Sequence, residues 1–202
     1  RAVFALGKNP DEQRLYQLRF PLHHGDTIRR EAAKNALDPA WIAAEIRAES
    51  VYNPRARSQA NALGLMQVLP ATGATTAAKN GLPWTGATSL YDSDTNIALG
   101  SAYLRELLDK YGLPYVPIAA YNAGPTPTAR WQAQRPEFPA DYWIETISYK
   151  ETREYVARVL AFSVLYDWRL NGTALPLTER MHGRLDAKRK PFVCPMAQMP
   201  KS

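Results

Sequence analysis

The sequence has almost no cysteine, and this scarcity excludes one common source of stability. Its single cysteine, Cys194, cannot form an internal disulfide, so the chain must be held together by packing. Histidine is equally scarce: His23 and His24 are adjacent, and His182 stands alone near the C-terminus. No spacing typical of a metal site results, and we expect neither a metal nor a cofactor.

Long apolar runs and regular strand patterns are also missing. No stretch approaches the roughly 18 apolar residues of a membrane-spanning helix, so we expect no transmembrane segment. The sequence starts at Arg1 without the charged-then-apolar layout of a signal peptide, which suggests a mature or excised fragment. Neither a phosphate-binding glycine loop nor a serine nucleophile elbow occurs.

The chain has a high hydrophobic content and an excess of positive charge. With 202 residues and 46% hydrophobic side chains, it can bury one sizeable core. A net charge of +6 favours an anionic partner, which could be nucleic acid, a membrane surface or the bacterial wall polymer. Charge alone does not distinguish among these partners.

One helix start is particularly well defined. Asp38 can cap free backbone N–H groups and Pro39 suits the first helical position, which predicts a helix from Pro39 to about Ser50. Ile42 and Ile46 form an apolar stripe, and Glu49 follows on nearly the same face. An acidic side chain therefore extends an apolar stripe at the end of a helix.

The apolar residues recur with helical periodicity, and glycine, proline and asparagine separate the helical segments, which predicts an all-α fold. Asp94 is expected to cap one helix that ends at Gly112, and the longest helix should be apolar nearly all round, buried at the centre and terminated by Gly172. We expect irregular loops at 51–64 and 81–93. Besides the helix at 39–50, helices are expected at 26–37, 64–69, 70–79, 94–111, 128–134 and 150–170, with one short helix that ends at 120–124.

The chain divides into three predicted regions. Residues 1–21 are interpreted as a connector from an upstream region, with apolar side chains that would cover a neighbouring surface. Residues 22–172 form the helical domain. Residues 173–202 are rich in proline and basic side chains, and are expected to be a C-terminal extension on the surface, with no domain of their own.

The position of Glu49 allows two interpretations from the residues alone. Desolvation against the apolar stripe would raise its pKa above about 4.3, and the negative end of the helix dipole would add to that effect. Such a carboxyl could donate a proton near neutral pH. Alternatively, Glu49 is an ordinary solvated side chain at a helix terminus.

Four motifs narrow these alternatives. AESVYNPRARS, GLMQVLPAT, AYNAGP and ETREYV occur in this order, and together they resemble the soluble lytic transglycosylases, which have a lysozyme-like fold. The resemblance covers about residues 22–172. It implies an all-α, lysozyme-like domain in which Glu49 is the catalytic residue.

The resemblance also implies a set of sugar-binding residues in the second motif and the preceding loop. Ser58 would hydrogen-bond the substrate or the surroundings of Glu49, although a local turn cap is an alternative. Gly64 would let the backbone approach a sugar, and Gln67 would bond an acetamido or hydroxyl group. Leu69 would form an apolar wall where family members often carry Met.

The third and fourth motifs supply the other expected site residues. Tyr121 would offer its hydroxyl to Glu49 or to charge developing on the sugar, with core packing as the alternative. Asn122 would bond the glycan or fix the loop. Glu151 would bind substrate or serve only the helix dipole, and Ser148 replaces a proline common in the family.

The implied reaction is cleavage of the β-1,4 bond between N-acetylmuramic acid and N-acetylglucosamine, with formation of a 1,6-anhydro ring. A goose-type lysozyme-like hydrolase and a non-catalytic module that binds an acidic polymer are the alternatives. The implied partners are peptidoglycan strands and an upstream helical domain of the same protein, and no nucleic acid. The implied location is the periplasm, with association with the outer membrane as an option.

Overall fold

The structure, a computed structural model, describes residues 13–191, with side chains from residue 16 onwards. Cys194 and residues 1–12 lie outside this range. Helices dominate the described part of the chain, and one small sheet joins its C-terminal end. The helices are α1 Gln13–Arg19, α2 Gly25–Lys34, α3 Pro39–Ser50, α4 Pro70–Asn80, a 3₁₀ helix Ala87–Tyr91, α5 Ser93–Tyr111, α6 Tyr115–Ala123, α7 Pro125–Gln134, α8 Ala140–Glu145, α9 Lys150–Asn171 and α10 Leu177–Met181; the strands are β1 Thr173–Ala174 and β2 Lys190–Pro191.

Helix α3 forms the centre of the fold. Nine of its 12 residues are buried, and α9 packs along it. The predicted cap is confirmed, because the Asp38 side chain accepts a hydrogen bond from the Ala40 backbone N–H at 3.0 Å. The predicted start at Pro39 and end at Ser50 are also confirmed. Glu49 consequently sits in the last turn of a buried helix.

The expectation that the longest helix is apolar nearly all round is wrong. Helix α9 buries one face, including Tyr155 and Val159, and exposes residues such as Arg158 on the other. Its predicted end is confirmed, since Gly172 adopts φ +70° at the C-cap. Helix α9 packs against α3, α6, α8, α10 and β1, while α3 is the more completely buried of the pair.

Two local predictions need correction, and one short helix was missed. The helix expected over 64–69 is a turn, because Gly64 and Gln67 both adopt positive φ and interrupt any helical hydrogen-bond ladder. The cap of α5 is Asp92, whose side chain accepts from the Thr95 N–H at 2.8 Å. Asp94 instead accepts from the Thr27 hydroxyl at 2.6 Å. The short helix α8 was not predicted.

The segment before α2 packs against this domain. Phe20 is buried and meets the rings of Phe162 and Tyr166 edge to face, at centroid distances of 5.3 and 6.0 Å. The Tyr16 ring stacks on Phe20. At least part of the predicted connector therefore covers α9 of the same chain. Residues 1–12 of that region lie outside the described part, so its upstream role stays a prediction.

The segment after Gly172 is tied to the core by buried ion pairs. Arg180 is 4% exposed, its guanidinium contacts the Asp38 carboxylate, and it lies 2.6 Å from Asp167. Asp167 also accepts from the Leu175 N–H at 2.7 Å. The expectation of a surface extension is wrong for Leu175 and Arg180, which are both buried. Arg180 neutralises the buried carboxylate of Asp38 and shares that of Asp167 with Arg189, whose Nε lies 3.3 Å from it.

These ion pairs predict a large stability loss for Arg180→Met. The substitution leaves Asp38 and Asp167 without their buried partner and should lower the free energy of unfolding by about 3 to 5 kcal/mol in urea denaturation. Arg184→Met is the matched control, since Arg184 pairs with Glu179 on the surface, where solvent screens the pair, and its loss should be much smaller. Equal losses for the two variants would contradict the assigned role of Arg180.

Candidate active site

Two carboxyl groups and one phenol meet where the end of α3 contacts α9. Glu45 and Glu49 lie one helical turn apart on α3, and Tyr155 of α9 reaches between them. The Tyr155 hydroxyl lies 2.5 Å from Glu49 Oε1 and also contacts Glu45 Oε2. Tyr155 was not among the predicted site residues, although it belongs to the motif ETREYV.

Glu45 is enclosed by protein. Its side chain has no solvent exposure, and its Oε1 accepts a hydrogen bond from Trp41 Nε1 at 2.8 Å. Burial raises the pKa of Glu45 to about 8, although the Tyr155 hydrogen bond opposes this rise. A proton is therefore held on this carboxyl near neutral pH.

Glu49 is only partly exposed, so unlike Glu45 it can be reached from solvent. Burial raises its pKa to about 7, and the hydrogen bond from Tyr155 opposes that rise. Two exposed side chains of α9 act on it through space: the cation of Arg158 lowers its pKa and the anion of Glu151 raises it. Glu49 can thus both donate and accept a proton near neutral pH.

The hydrogen-bond partner of the Tyr121 hydroxyl is the loop of the second motif. Tyr121 Oη donates to the Met66 carbonyl oxygen at 2.8 Å, which joins α6 to the loop of the second motif. Burial, followed by the nearby charges of Glu49 and Glu45, raises the pKa of Tyr121 well above its ordinary value. Tyr121 therefore remains a neutral hydroxyl beside the carboxyl pair.

The loop of the second motif is organised by Asn96, a residue that the sequence did not single out. This fully buried side chain accepts from the Met66 N–H at 2.7 Å and donates to the carbonyls of Leu63 and Leu90, at 2.9 and 2.8 Å. The only local signal was an asparagine beside the apolar residues of α5, which does not reveal a partner some thirty residues away.

Gly64 serves this packing, and the expectation that it lets the backbone approach a sugar needs correction. Gly64 is buried with φ +75°, and a Cβ atom there would lie 2.1 Å from the Leu90 carbonyl oxygen and 2.4 Å from Asn96 Nδ2. The absence of a side chain at Gly64 makes room for the Leu90 carbonyl and the Asn96 side chain. No larger residue fits without displacing backbone.

Ser58 and Gln67 bond mainly to their own loop. Ser58 Oγ accepts from the Ala62 N–H at 3.0 Å, which is the local turn cap weighed as the alternative. Gln67 Nε2 donates to the carbonyls of Ala56 and Gly64 at 3.1 and 2.9 Å. In both residues these bonds hold the loop, and contact with a glycan stays a prediction.

Leu69 and Asn122 border an open pocket with a volume of about 270 Å³. Leu69 is 44% exposed, and Asn122 Oδ1 accepts from the Thr152 hydroxyl at 2.7 Å, which links α6 to α9. The pocket combines apolar and polar side chains, as sugar-binding surfaces do. Its lining is Gln67, Val68, Leu69, Thr72, Tyr103, Tyr121, Asn122, Ala123, Gly124 and Pro125.

A second pocket of about 280 Å³ lies at the start of α3, beside Asp38 and Arg180, and none of the predicted site residues lines it.

Within residues 13–191, no group of three or more His, Cys, Asp or Glu side chains is placed to hold a metal ion. The helices of the described part also include none that is long and apolar enough to cross a membrane.

Comparison with known proteins defines the family. The model of the transglycosylase SLT domain matches residues 26–144, and that of the soluble lytic transglycosylase helical domain matches residues 146–174. The chain therefore belongs to the transglycosylase SLT family.

Named relatives agree with this assignment. The soluble lytic murein transglycosylase of Escherichia coli is 34% identical over 151 residues, or 73% of this chain and 23% of that protein. The transglycosylase of Enterobacteria phage PRD1 is 40% identical over 114 residues, or 56% of this chain and 39% of that protein.

A solved structure has the same fold. The lytic transglycosylase Slt of Pseudomonas aeruginosa, solved as an inactive mutant with glutamine in place of a glutamate, superposes with a TM-score of 0.76 at 35% identity. The match covers 88% of this chain and 28% of that one. The chain spans about a quarter of the length of its curated bacterial relatives, 26% and 23% for the first two.

The packing around Gly64 predicts that Gly64→Ala is strongly destabilising. The added Cβ would collide with the Leu90 backbone and with Asn96, and should cost about 3 kcal/mol or more in chemical denaturation. Gly81→Ala is the matched control, because Gly81 has φ +61° but nothing within 4 Å of the position that the new methyl group would occupy, and should cost only about 1 kcal/mol. Similar losses would show that backbone strain, not crowding, governs Gly64.

Proposed function

We propose that this chain is the catalytic domain of a peptidoglycan lytic transglycosylase in which Glu49 is the single catalytic acid and base. The observation that carries the proposal is a partly exposed carboxyl with its pKa raised to about 7, at the family motif, in a chain of the transglycosylase SLT family. A relative inactivated by a glutamate-to-glutamine change supports it.

The first step of the proposed reaction uses Glu49 as an acid. Protonated Glu49 gives its proton to the oxygen that leaves C1 of N-acetylmuramic acid, and the bond between C1 and that oxygen breaks. Positive charge develops on the sugar ring, and the acetamido group of the same sugar supports it. Glu49 is then ionised, and the Tyr155 hydroxyl stabilises its Oε1 by a charge-assisted hydrogen bond.

The second step uses the same carboxylate as a base. Ionised Glu49 removes the proton from the C6 hydroxyl of the same sugar, and that oxygen bonds C1 to close the 1,6-anhydro ring. The nucleophile belongs to the substrate, so its effective concentration is high. Glu49 ends the cycle protonated, ready for the next bond.

Hydrolysis of the kind seen in most glycosidases needs a second carboxylate that faces the sugar or an attacking water. Glu45 is unsuited to that role, since it has no solvent exposure and Trp41 and Tyr155 occupy its oxygens. Glu151 is exposed and acts on Glu49 through space. We assign Glu151 to substrate binding, and the product analysis below distinguishes this role from a hydrolytic base.

The substrate we propose is the glycan strand of peptidoglycan, bound along the pocket that Leu69 and Asn122 border. Ser58, Gln67 and Tyr121 complete the predicted binding set. The net charge of +6 suits an anionic wall polymer. Because its relatives are much longer, we also propose an upstream helical domain in the same protein. Because a relative is named for murein, the bacterial wall polymer, we propose a periplasmic location. We propose no role in nucleic-acid binding.

Glu49→Gln should abolish turnover while the fold and glycan binding persist. The amide keeps the shape of the side chain and accepts the Tyr155 hydrogen bond, but it cannot transfer a proton. Release of soluble fragments from purified peptidoglycan measures turnover, and Glu154→Gln, an exposed acid of α9, serves as the control that should stay active. Activity of Glu49→Gln above about a tenth of the native level would overturn the assignment, since proton transfer alone contributes a factor of about 100 or more.

The product distinguishes the transglycosylase from a hydrolase. In oxygen-18 water, the enzyme should release fragments that end in 1,6-anhydro-N-acetylmuramic acid, each one water lighter than a hydrolysis product and free of label at the new end. Mass spectrometry reads both properties in one digest. Mainly reducing ends that carry the heavy oxygen would make this protein a lysozyme-like hydrolase instead.

A further inference from the structure

Three oxygen atoms form a continuous hydrogen-bonded row inside the site: Glu45 Oε2, Tyr155 Oη and Glu49 Oε1. The row starts at Trp41, whose indole N–H donates to the other oxygen of Glu45. It ends at Glu49, the one member that is partly exposed. Glu45 is thus a second acid, buried behind the proposed catalytic one.

Counting protons shows why Glu45 matters. Tyr155 has one hydroxyl proton, so it can donate to only one of its two carboxyl neighbours. The other neighbour must itself carry a proton and donate to Tyr155 Oη. If both carboxyls were ionised, one of the two close contacts would join a lone pair to an anion without any hydrogen between them.

The surroundings of Glu45 decide which carboxyl carries this proton. Trp41 can only donate, so it needs an acceptor at Glu45 Oε1, and a proton on Glu45 must sit on Oε2, facing Tyr155. The charge that acts on Glu45 through space is that of Glu49, which opposes ionisation of its neighbour. A neutral Glu45 is the state that this enclosed position favours.

We propose that Glu45 is a positioning residue that is a neutral acid in the active enzyme: it donates to Tyr155 Oη and so directs the Tyr155 proton onto Glu49 Oε1. The catalytic proton of Glu49 must then sit on Oε2, on the substrate side. This inference rests on the proposed role of Glu49.

The reverse arrangement would be inactive. If Glu45 is ionised, Tyr155 donates to Glu45, and a protonated Glu49 must turn its proton inward to Tyr155 Oη. Activity therefore requires Glu45 to be neutral and Glu49 to be protonated. The other groups that act on the pair are Glu151 and Arg158 from α9, which act on Glu49, and the neutral hydroxyl of Tyr121 from α6.

The pH profile of kcat/KM tests this requirement. In the native enzyme, Glu49 and Glu45 each lose a proton as the pH rises. A plot of log(kcat/KM) against pH should therefore approach a slope of −2 on its alkaline side. Glu45→Gln cannot ionise, yet its amide can donate to Tyr155 and accept from Trp41, so its limb should keep a slope of −1. A native slope of −1, or an unchanged slope in Glu45→Gln, would overturn the proposal.

A pair of substitutions separates the donor from simple packing. Below pH 6, Glu45→Gln should keep kcat within about threefold of the native enzyme, whereas Glu45→Met, which lacks a donor, should lose about tenfold in kcat with little change in KM. In a Tyr155→Phe background the two variants should become equal, because the effect passes through the phenol. Equal losses of kcat in Glu45→Gln and Glu45→Met, with Tyr155 present, would contradict the proposal.

Stability gives a readout that does not depend on activity. The folded-state pKa of Glu45 lies above the unfolded value of 4.5, so native stability should fall as the pH rises through the window from 4.5 to about 8. Glu45→Gln has no such ionisation. The urea midpoint of this variant, relative to that of the native protein, should therefore rise between pH 5 and pH 9. A constant difference would refute a neutral Glu45, whereas failure of the proposed function would appear as missing anhydro products from the native enzyme.

Discussion

Burial of two carboxyl groups against a single phenol is the constraint on which this site depends. Glu45 and Glu49 lie one turn apart on the most enclosed helix of the fold, and Tyr155 reaches both from α9. In water such groups would ionise and repel each other. Here desolvation keeps protons on them near neutral pH, so the packing of α9 on α3 also sets the acid strength of the site.

Both ends of α3 are fixed by residues distant in sequence. At its start, Asp38 caps the helix and pairs with Arg180 from the segment after α9. At its end, Tyr155 holds the carboxyl pair. Arg180 therefore fixes the helix far from the carboxyl pair, whereas Tyr155 contacts the pair directly and belongs to the proposed proton-transfer site.

The sequence predicted those features that depend on local chemistry. The start of α3 at Asp38 and the ends of α5 and α9 at Gly112 and Gly172 follow from caps that act within a turn, and the order of the motifs located Glu49. Asn96 and Tyr155 were missed because their roles consist of contacts with distant segments. Their neighbours in sequence do not reveal those contacts, and only the assembled fold brings them together.

Burial raises the pKa of both carboxyls of α3 to neutral pH or above. Carbon-13 NMR titration of the glutamate side-chain carboxyls, with assignment from Glu45→Gln and Glu49→Gln, measures this directly. The account predicts two resonances that titrate well above the others, with an apparent pKa of about 8 for Glu45 and about 7 for Glu49. Titration of both carboxyls close to the ordinary value of 4.5 would contradict it.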